Sequence, residues 1–460
     1  MVFRGQVLAL GNDDIAPIHS PTSGTISSIS KNKFNFYSGK YFGVIVIKSD
    51  GRDAWGHRVF RKNYKDISIN TFIKLIYDHG IIGLGGSGFL SSKKIEFSIG
   101  KVHTLLINAA ESEPYVQSDD CLMQNFYKEI AEGCQIIACI LKIESVVIAI
   151  EDDKKLAFIK IKNAIKSFPN FKIRKIKNKY PSGSSKQLIK TLFNKEVPLG
   201  KRSISLGILI FNVSTIFYIK RAILNSEPLI ERIITLSDAQ LLYQKNVLVR
   251  IGTPISYILS KFNIKNSSII LGGPITGFII DDLNFPILKT TSSILKFKSD
   301  FVENLLELPC IRCTACSKAC PMRLLPEQLY FYSKSFDHEK SKRYHINECI
   351  ECGVCEQVCP SNIPLLTYFK KEKLELKKLE FQNDMSKKFK KLFMLRQRRV
   401  HASGLINENI IYSNNVIKEK RNDSIRHKVC ESNSFLNSQH IMKIKLESAI
   451  NRAKLKRNIK

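Results

Sequence analysis

Eight of the twelve cysteines in this chain form two runs with the same spacing. The first reads Cys-x2-Cys-x2-Cys-x3-Cys over residues 310–320, the second repeats it over residues 349–359, and a proline follows each run. In this pattern three close thiolates hold one iron–sulfur cluster, and the fourth cysteine reaches the other cluster. The spacing therefore predicts two [4Fe–4S] clusters, one bound by Cys310, Cys313, Cys316 and Cys359 and the other by Cys320, Cys349, Cys352 and Cys355.

Two other uses of cysteine compete with this interpretation. Zinc sites usually show two separated pairs of ligands rather than four cysteines in one run. Disulfides are disfavoured because residues 1–10 show no secretion signal. The doubled spacing favours clusters over both. The remaining cysteines show no ligand spacing, and we expect the first three of them to be buried thiols; they are Cys121, Cys134, Cys139 and Cys430.

The composition predicts a large folded protein with an uneven positive charge. A chain of 460 residues has room for about three domains. The net charge is +31, and residues 371–460 contain 23 Lys and Arg against 9 Asp and Glu. Such a basic segment suits anionic lipid, acidic protein or nucleic acid as a partner. The alternative is compositional bias, because Ile, Lys and Asn are abundant throughout the chain.

No segment predicts a transmembrane helix. The best uncharged run, Ser203–Ile219, contains polar residues and is shorter than the ~20 residues that a membrane span needs. We therefore expect a cytoplasmic protein, or a peripheral one on the cytoplasmic face of a membrane. Nucleic-acid binding would rest on the positive charge alone, without a groove-reading motif, so no nucleic-acid partner is expected.

Periodicity and turn residues predict several folded regions in succession. Residues 1–50 are typical of short strands, with a tight hairpin at Ile18–Ile26 and a strand at Gly43–Lys48. Residues 70–230 alternate helices and strands, which indicates an α/β sheet; the elements are helix Phe72–His79, strand Leu105–Asn108, helix Tyr127–Leu141 and strand Ser145–Ile150. Later elements are strand Val247–Ile251, helix Pro326–Lys334, and helix Lys371–Phe393 before an Asn- and Ser-rich segment of poor order.

A glycine-dense loop is the first candidate for binding a cofactor. Its glycines are Gly83, Gly85, Gly86 and Gly88. Glycine permits positive φ and lets backbone amides approach a phosphate or a ring closely. Lys94 follows the loop and could meet a phosphate as a point charge. The loop lacks the strand and helix context of a dinucleotide-binding fingerprint, so a tight surface turn is the alternative.

An acidic segment is the second candidate. Asn108 ends a predicted strand, and Glu111 and Glu113 follow it. Ligands of α/β folds bind at the carboxyl ends of strands. These carboxylates could accept hydrogen bonds from ribose hydroxyls or a flavin ring, and a solvated acidic turn is the alternative.

The order of these motifs resembles the C subunit of ion-translocating oxidoreductase complexes, the Rnf/Rsx family, over about residues 4–370. The matching segments are Gly83–Phe89, Asn108–Tyr115 with Asp119 and Asp120, Tyr180–Gly183, both cysteine runs and Pro360–Pro364. The glycine loop and the acidic segment are also similar to the flavin- and NADH-binding subunit of respiratory complex I, and Asn212–Thr215 resembles its flavin-phosphate turn. The sequence differs from the family at Leu90, usually proline, and at Ser112, usually cysteine.

The resemblance implies a multidomain α+β fold. Its expected parts are a β barrel-sandwich-like domain at 1–65, truncated at its start, an α/β FMN- and NADH-binding domain at 66–230, a β-grasp ligand-binding-like domain at 231–300, a two-cluster ferredoxin domain at 301–370 and a basic helical or disordered tail at 371–460.

The resemblance also implies a function. NADH would give electrons to FMN, and two [4Fe–4S] clusters would pass them to membrane subunits, in either direction. The residues that would hold FMN and NADH are Gly83, Gly85, Gly86, Gly88, Lys94, Asn108, Glu111, Glu113, Asn212 and Thr215. No side chain needs to act as acid or base, because the cofactors carry the chemistry. Other subunits of the complex are the expected partners, and the basic tail suggests an anionic membrane surface.

Two alternatives use the same parts differently. Leu90 and Ser112 would fit a non-catalytic iron–sulfur relay whose flavin site has decayed. A role of the Rsx type would keep a redox-sensing regulator reduced.

Overall fold

The computed structural model describes residues 1–33, 41–111, 113–238, 243–264, 268–280, 282–297 and 306–402. The chain divides into one compact unit, Met1–Leu376, and a second, Lys377–Lys460. The described part of the second unit is the helical segment 377–402. Ser112 and the predicted Asn- and Ser-rich segment lie outside the described residues.

The described strands all lie in the first unit. They are β1 (Val7–Ala9), β2 (Ile18–His19), β3 (Gly24–Lys33), β4 (Tyr41–Ser49), β5 (Thr104–Ala109), β6 (Ser145–Glu151), β7 (Phe171–Ile176), β8 (Ile208–Asn212), β9 (Glu231–Asp238), β10 (Gln244–Arg250), β11 (Ser268–Leu271), β12 (Phe278–Ile280) and β13 (Ser293–Phe297).

The described helices follow the same order. They are α1 (Ile69–Asp78), α2 (Ser91–Glu96), α3 (Ser118–Asn125), α4 (Tyr127–Leu141), α5 (Lys155–Ala164), α6 (Ser185–Phe193), α7 (Val213–Asn225), α8 (Ile255–Lys261), α9 (Ala315–Ala319), α10 (Pro326–Lys334), α11 (His338–Arg343), α12 (Val354–Gln357) and α13 (Leu365–Ala402). Short 3₁₀ helices occupy Ser203–Leu206 and Ile346–Glu348.

A four-stranded parallel sheet in the order β7-β6-β5-β8 forms the centre of the α/β region. Alternate residues of β6 enter two different hydrophobic clusters: Val146 and Ile148 pack in one, Val147 and Ala149 in the other. Both faces are therefore buried, which explains why the strands are continuous apolar runs. The predicted α/β alternation is confirmed, and α4 has the predicted bounds.

The N-terminal strands pair differently from the prediction. The sequence predicts a hairpin over Ile18–Ile26, but β2 pairs with β1, and β3 pairs with β4. The reason is that the first residues of the chain take the hydrogen bonds that a hairpin would have used. Ser20 N donates to Gln6 O at 2.7 Å, and Gly24 N donates to Val2 O at 3.0 Å.

A five-stranded mixed sheet follows, in the order β10-β9-β13-β11-β12. β13 runs parallel to β9, and the other neighbouring pairs are antiparallel. The predicted strand Val247–Ile251 falls within β10, apart from its last residue. One face of this sheet packs on α8 through a core that includes Ile234, Leu236 and Ile255.

The cysteine runs lie among short helices. A hydrophobic cluster around Leu329, Tyr330 and Phe369 packs against cysteines of both runs. Helix α10 has the predicted bounds, whereas α13 begins before and ends after the predicted helix Lys371–Phe393. No helix in the described ranges is both long enough and apolar enough to span a bilayer.

Gly133 fixes the contact between α4 and α7. A Cβ at this position would lie 2.6 Å from Ile216 O and 2.8 Å from Ile216 Cγ2. We predict that Gly133→Ala lowers the free energy of unfolding by about 1–3 kcal/mol through overpacking, although alanine is the better helix former by about 1 kcal/mol. Urea unfolding followed by circular dichroism measures the change.

Gly43→Ala is the control for this prediction, because a Cβ there meets no atom within 4 Å. It should leave the unfolding curve nearly unchanged. A Gly133→Ala protein as stable as the wild type would show that the two helices can separate at little cost.

Candidate electron-transfer site

The two cysteine runs surround two separate cavities. The first cysteine cavity is lined by Cys310, Cys313, Cys316 and Cys359. The second cysteine cavity is lined by Cys320, Cys349, Cys352 and Cys355. Each cavity thus takes three cysteines from one run and the fourth from the other, which is the arrangement that the spacing predicts. Four thiols around an otherwise apolar space fit a cubane cluster.

The electrostatics of the cysteines also fit a metal cluster. Burial raises the pKa of Cys349 to about 11, and burial with Glu327 close by raises that of Cys316 to about 11. A buried thiolate therefore needs a positive partner, which iron supplies. Amides already point at two sulfurs: Glu351 N donates to Cys349 Sγ, and Leu324 N to Cys320 Sγ, both at 3.4 Å.

The cysteines outside the runs correct one expectation. Cys134 is buried, as predicted, but Cys121 is half-buried and Cys139 is exposed. Cys139 lies in the last turns of α4, whose helical periodicity turns this side chain outward. Cys430 lies outside the described residues.

The glycine loop is closed on itself by backbone hydrogen bonds. Gly83 N donates to Phe89 O at 2.8 Å, and Gly88 N donates to Gly83 O at 3.1 Å. Gly86 and Gly88 have φ of +99° and +60°, values that favour glycine. Leu90, where the family usually has proline, has φ of −57°, close to the value that a proline ring fixes. The loop therefore keeps its shape without the proline.

An open cavity, here called the glycine cavity, connects this loop with the cysteine region. Its walls come from the glycine loop, the segment Tyr180–Ser184, the turn Leu271–Phe278, Thr290, Ser292 and residues Ile350–Cys352. Cys352 also lines the second cysteine cavity. Tyr180 Oη donates to Cys352 O at 2.6 Å and holds this shared wall.

Three predicted site residues support the cavity wall. Leu84 N donates to Thr215 Oγ1 at 3.0 Å, and a Cβ on Gly85 would lie 3.2 Å from Asn212 Cβ. Asn212 caps α7 by accepting from Ser214 N. Asn108 Nδ2 donates to Gly183 O at 2.7 Å.

Both predicted glutamates, Glu111 and Glu113, line a second opening, here called the acidic cavity. Glu113, Tyr180 and Gly183 line both this cavity and the glycine cavity. Glu113 accepts hydrogen bonds from Ile275 N at 2.8 Å and from Thr276 N at 2.9 Å, so it also fixes the Leu271–Phe278 turn.

Glu111 binds the amino end of helix α3. Its Oε1 accepts from Asp119 N and Asp120 N, both at 2.9 Å. Burial, followed by the nearby Asp119 and Glu151, raises the pKa of Glu111 well above its ordinary value, against the opposing effect of the Asp120 amide. The carboxyl group is therefore held in an environment that resists its negative charge.

Lys94 lies over the ring of Phe211, the residue before Asn212. Its Nζ is 5.0 Å from the centroid of the Phe211 ring, and it is not among the described residues that line the glycine cavity. Burial and the nearby Arg202 lower the pKa of Lys94 to about 8.

The sequence reasoning missed the turn Leu271–Phe278 as part of the site. Its Gly272, Gly273 and Gly277 are a turn signal that was visible in the sequence. What the sequence did not show is its closeness to Glu113: a Cβ on Gly273 would overlap the Glu113 carboxylate.

Comparison with known proteins decides the family. Residues 76–221 match the Nuo51 FMN-binding domain, and residues 309–363 match a 4Fe-4S dicluster domain. The chain is 50% identical over 426 residues to the C subunit of the ion-translocating oxidoreductase complex of Buchnera aphidicola subsp. Baizongia pistaciae, covering 92% of this chain and 84% of that protein. The chain belongs to the family of C subunits of ion-translocating oxidoreductase complexes.

Other members of the family agree. The C subunit of Buchnera aphidicola subsp. Acyrthosiphon pisum is 45% identical over 460 residues, covering 99% of this chain and 94% of that protein. The C subunit of Erwinia tasmaniensis is 42% identical over 403 residues, covering 87% of this chain and 50% of that protein. The FMN-domain match includes the glycine loop and α7 up to Arg221, and the dicluster match includes all eight cysteines of the two runs. The predicted FMN and two [4Fe–4S] clusters are confirmed.

The crossed arrangement of cysteines can be tested, because Cys320 and Cys359 each belong to one run in the sequence but line the cavity of the other run. Cys320→Ser should remove the cluster of the second run, and Cys359→Ser the cluster of the first run. Iron content should fall by about half in each, and electron paramagnetic resonance of the reduced protein should lose a different signal in each.

Cys139→Ser is the matched control, since this exposed cysteine lines neither cysteine cavity, and it should keep all its iron. If Cys320→Ser lost the cluster of the first run and kept the cluster of the second run, this result would contradict the crossed arrangement.

The raised pKa of Glu111 predicts a pH dependence of stability. A glutamate normally has a pKa of about 4.3, and the folded protein binds this proton more tightly than the unfolded chain does. The free energy of unfolding should therefore fall as the pH rises from about 4.3 toward the folded pKa. Glu111→Gln has no carboxyl group at this position, so it should not show this decrease in the free energy of unfolding. The stability of the variant relative to wild type should therefore increase with pH.

Urea unfolding between about pH 4.5 and about pH 8 measures this difference. Gly43→Ala, which keeps every carboxyl group, is the control and should follow the wild type. Parallel profiles for Glu111→Gln and the wild type would contradict the prediction.

Proposed function

We propose that this protein is the peripheral electron-input subunit of its complex, passing electrons from NADH via FMN to two [4Fe–4S] clusters and on to membrane subunits. The observation that carries the proposal is that Cys352 lines both the glycine cavity and the second cysteine cavity. Ile350 and Glu351 line both cavities as well, so the proposed flavin site and the second cluster site would share a wall. Electron flow in either direction would use the same wall.

The glycine cavity is the proposed site of FMN. Gly85 and Gly86, which line the cavity, would bring backbone amides close to the cofactor. Gly83 and Gly88 would keep the loop closed through their hydrogen bonds, with Asn212 and Thr215 holding the loop from behind. A bound flavin would exchange two electrons with a nicotinamide and single electrons with a cluster. Lys94 would act through the charge that it adds near the loop.

The acidic cavity is the proposed route for NADH. It opens beside the glycine cavity across the shared residues Glu113, Tyr180 and Gly183. Glu111 and Asn108 lie at this edge of the parallel sheet, and carboxylates there could accept hydrogen bonds from ribose hydroxyls. Lys154 and Lys179, which also line the cavity, would meet the pyrophosphate.

The two clusters would differ in their exposure. The second cysteine cavity adjoins the glycine cavity, whereas the first includes the exposed Cys313 and lies next to Ile311, whose surface is 69% exposed. We infer that the first-run cluster is the outer one and meets the partner subunits.

We also propose the domain boundaries that the family resemblance implies, and the sheets of the structure support them. The paired strands β1–β4 suit a barrel-sandwich-like domain at 1–65, the parallel sheet an FMN and NADH domain at 66–230, and the mixed sheet a β-grasp-like domain at 231–300. The cysteine region would form the ferredoxin domain at 301–370, before the basic tail at 371–460. We place the protein on the cytoplasmic face of the cell inner membrane, with its basic tail toward anionic lipid.

Anaerobic reduction by NADH tests the electron-input role. Purified protein with intact clusters and added FMN should show reduced-cluster signals in electron paramagnetic resonance after NADH, and the same protein without FMN should not. If the natively purified protein contains no flavin and does not bind added FMN, the result would favour the alternative function, a non-catalytic iron–sulfur relay with a decayed flavin site.

A variant locates the flavin. Glu113→Ala should release the Leu271–Phe278 turn, and flavin content should fall severalfold while the iron content stays constant. Glu144→Ala, a change at an exposed glutamate away from both cavities, is the control. Full flavin content in Glu113→Ala would contradict the proposed position of FMN.

A further inference from the structure

Helix α13 continues beyond the first unit as a strongly basic segment with an apolar ridge. Between Lys377 and Arg399 the sequence has nine Lys and Arg residues against Glu380 and Asp384. Phe381, Met385, Phe389 and Phe393 follow at intervals of four residues, here called the phenylalanine ridge. The three phenylalanines are 67%, 60% and 58% exposed.

Helical geometry places the ridge on one face. Positions four residues apart advance by about 40° around a helix, so the ridge covers an arc of about 120°. Between Phe381 and Phe393 this arc also contains Leu392 and Gln382, with Ser386 just beyond its edge, and no acidic residue. The two acidic residues of the segment fall on the other side of the helix.

The basic residues are distributed around this face in a way that suits a surface of phosphates. Lys388 and Lys390 flank the ridge on its two sides, where their aliphatic stems can run along the apolar face while the amines reach outward. Lys387 and Lys391 lie on the opposite side. A basic helix with phenylalanine and leucine on one face is typical of segments that lie in the plane of a membrane interface.

We propose that residues 377–399 bind an anionic lipid bilayer in its surface plane, with the phenylalanine ridge in the headgroup and acyl boundary. This deepens the peripheral location proposed above, because it names the contacting residues. A second copy of the helix suits the ridge less well, since nine positive charges against two negative ones would repel across such a pair. The high positive charge complements anionic headgroups directly.

Flotation with lipid vesicles tests the proposal on the full chain with its clusters. Vesicles of phosphatidylcholine with about 30% phosphatidylglycerol should bind the protein, and vesicles of phosphatidylcholine alone should bind it far less. Because each basic side chain near the surface adds about 1 kcal/mol, or about a fivefold change in partition, Lys388→Gln with Lys390→Gln should lower binding by about tenfold or more. Lys387→Gln with Lys391→Gln removes the same charge and should lose less.

The ridge has its own variant. Phe389→Ser with Phe393→Ser should also reduce binding by about tenfold or more. Phe336→Ser is the matched control, because Phe336 is 62% exposed but lies outside the segment, and it should bind like the wild type. Binding unaffected by the ridge variant, or no preference for anionic vesicles, would overturn the proposal.

Two further measurements separate the remaining outcomes. The first measures self-association as a function of protein concentration. If the protein self-associates through the ridge, the ridge variant does not, and neither binds vesicles, then the ridge binds a second copy of the chain and the membrane proposal is wrong. Cluster reduction by NADH in the same samples reports the electron-input role independently, so each proposal can fail without the other.

Discussion

The electron route depends on one docked interface, between the cysteine region and the parallel-sheet region of the first unit. Glu348 is its central contact: its side chain is almost completely buried, pairs with Lys186 and accepts from Gly200 N at 2.7 Å. Burial opposes the charge of Glu348, but the bonds from Lys186 and Gly200 outweigh burial and hold its pKa below the ordinary range. Removing one partner of such a buried pair typically costs about 3–5 kcal/mol.

Further contacts across this interface fix where the second cluster lies. Gln187 Nε2 donates to Pro321 O at 2.9 Å, next to Cys320, and Tyr180 Oη donates to Cys352 O. Gly353 approaches Ile275 so closely that a Cβ would lie 2.8 Å from Ile275 Cγ2. The ligands of one cluster are thus held by groups from outside the cysteine region. A cluster module with the same eight cysteines but a different docking surface would keep its iron and lose the wall that the second cysteine cavity shares with the glycine cavity.

Local patterns were predictable from the sequence, and long-range partnerships were not. Cysteine spacing determined which thiols share a cavity, because chain length between ligands limits their reach. Helices α4 and α10 were predicted at their observed bounds, since α4 has a clear helical periodicity and α10 begins with Pro326, a residue that favours the first helical position. The hairpin at Ile18–Ile26 failed because Val2 and Gln6, distant from the turn, supply the competing hydrogen bonds. Glu113 was predicted as a ligand of a cofactor, but its binding to the amides of residues 275 and 276 follows only from the fold.

The buried carboxyl groups suggest why this site keeps charges that cost stability. Glu111 stabilises the amino end of α3 through two amides, yet burial and Asp119 make its ionised form unfavourable. Glu111 and Glu151 also line the acidic cavity, where their oxygens could accept hydrogen bonds from the nucleotide proposed to bind there. Stability lost at Glu111 is offset by the large apolar core on both faces of the parallel sheet. These groups do not by themselves set a direction for electrons, because a wall at Cys352 between the proposed flavin site and the second cluster would serve transfer both ways. Direction therefore depends on the potentials at the two ends, which hydrogen bonds to sulfur such as Glu351 N to Cys349 Sγ help to set.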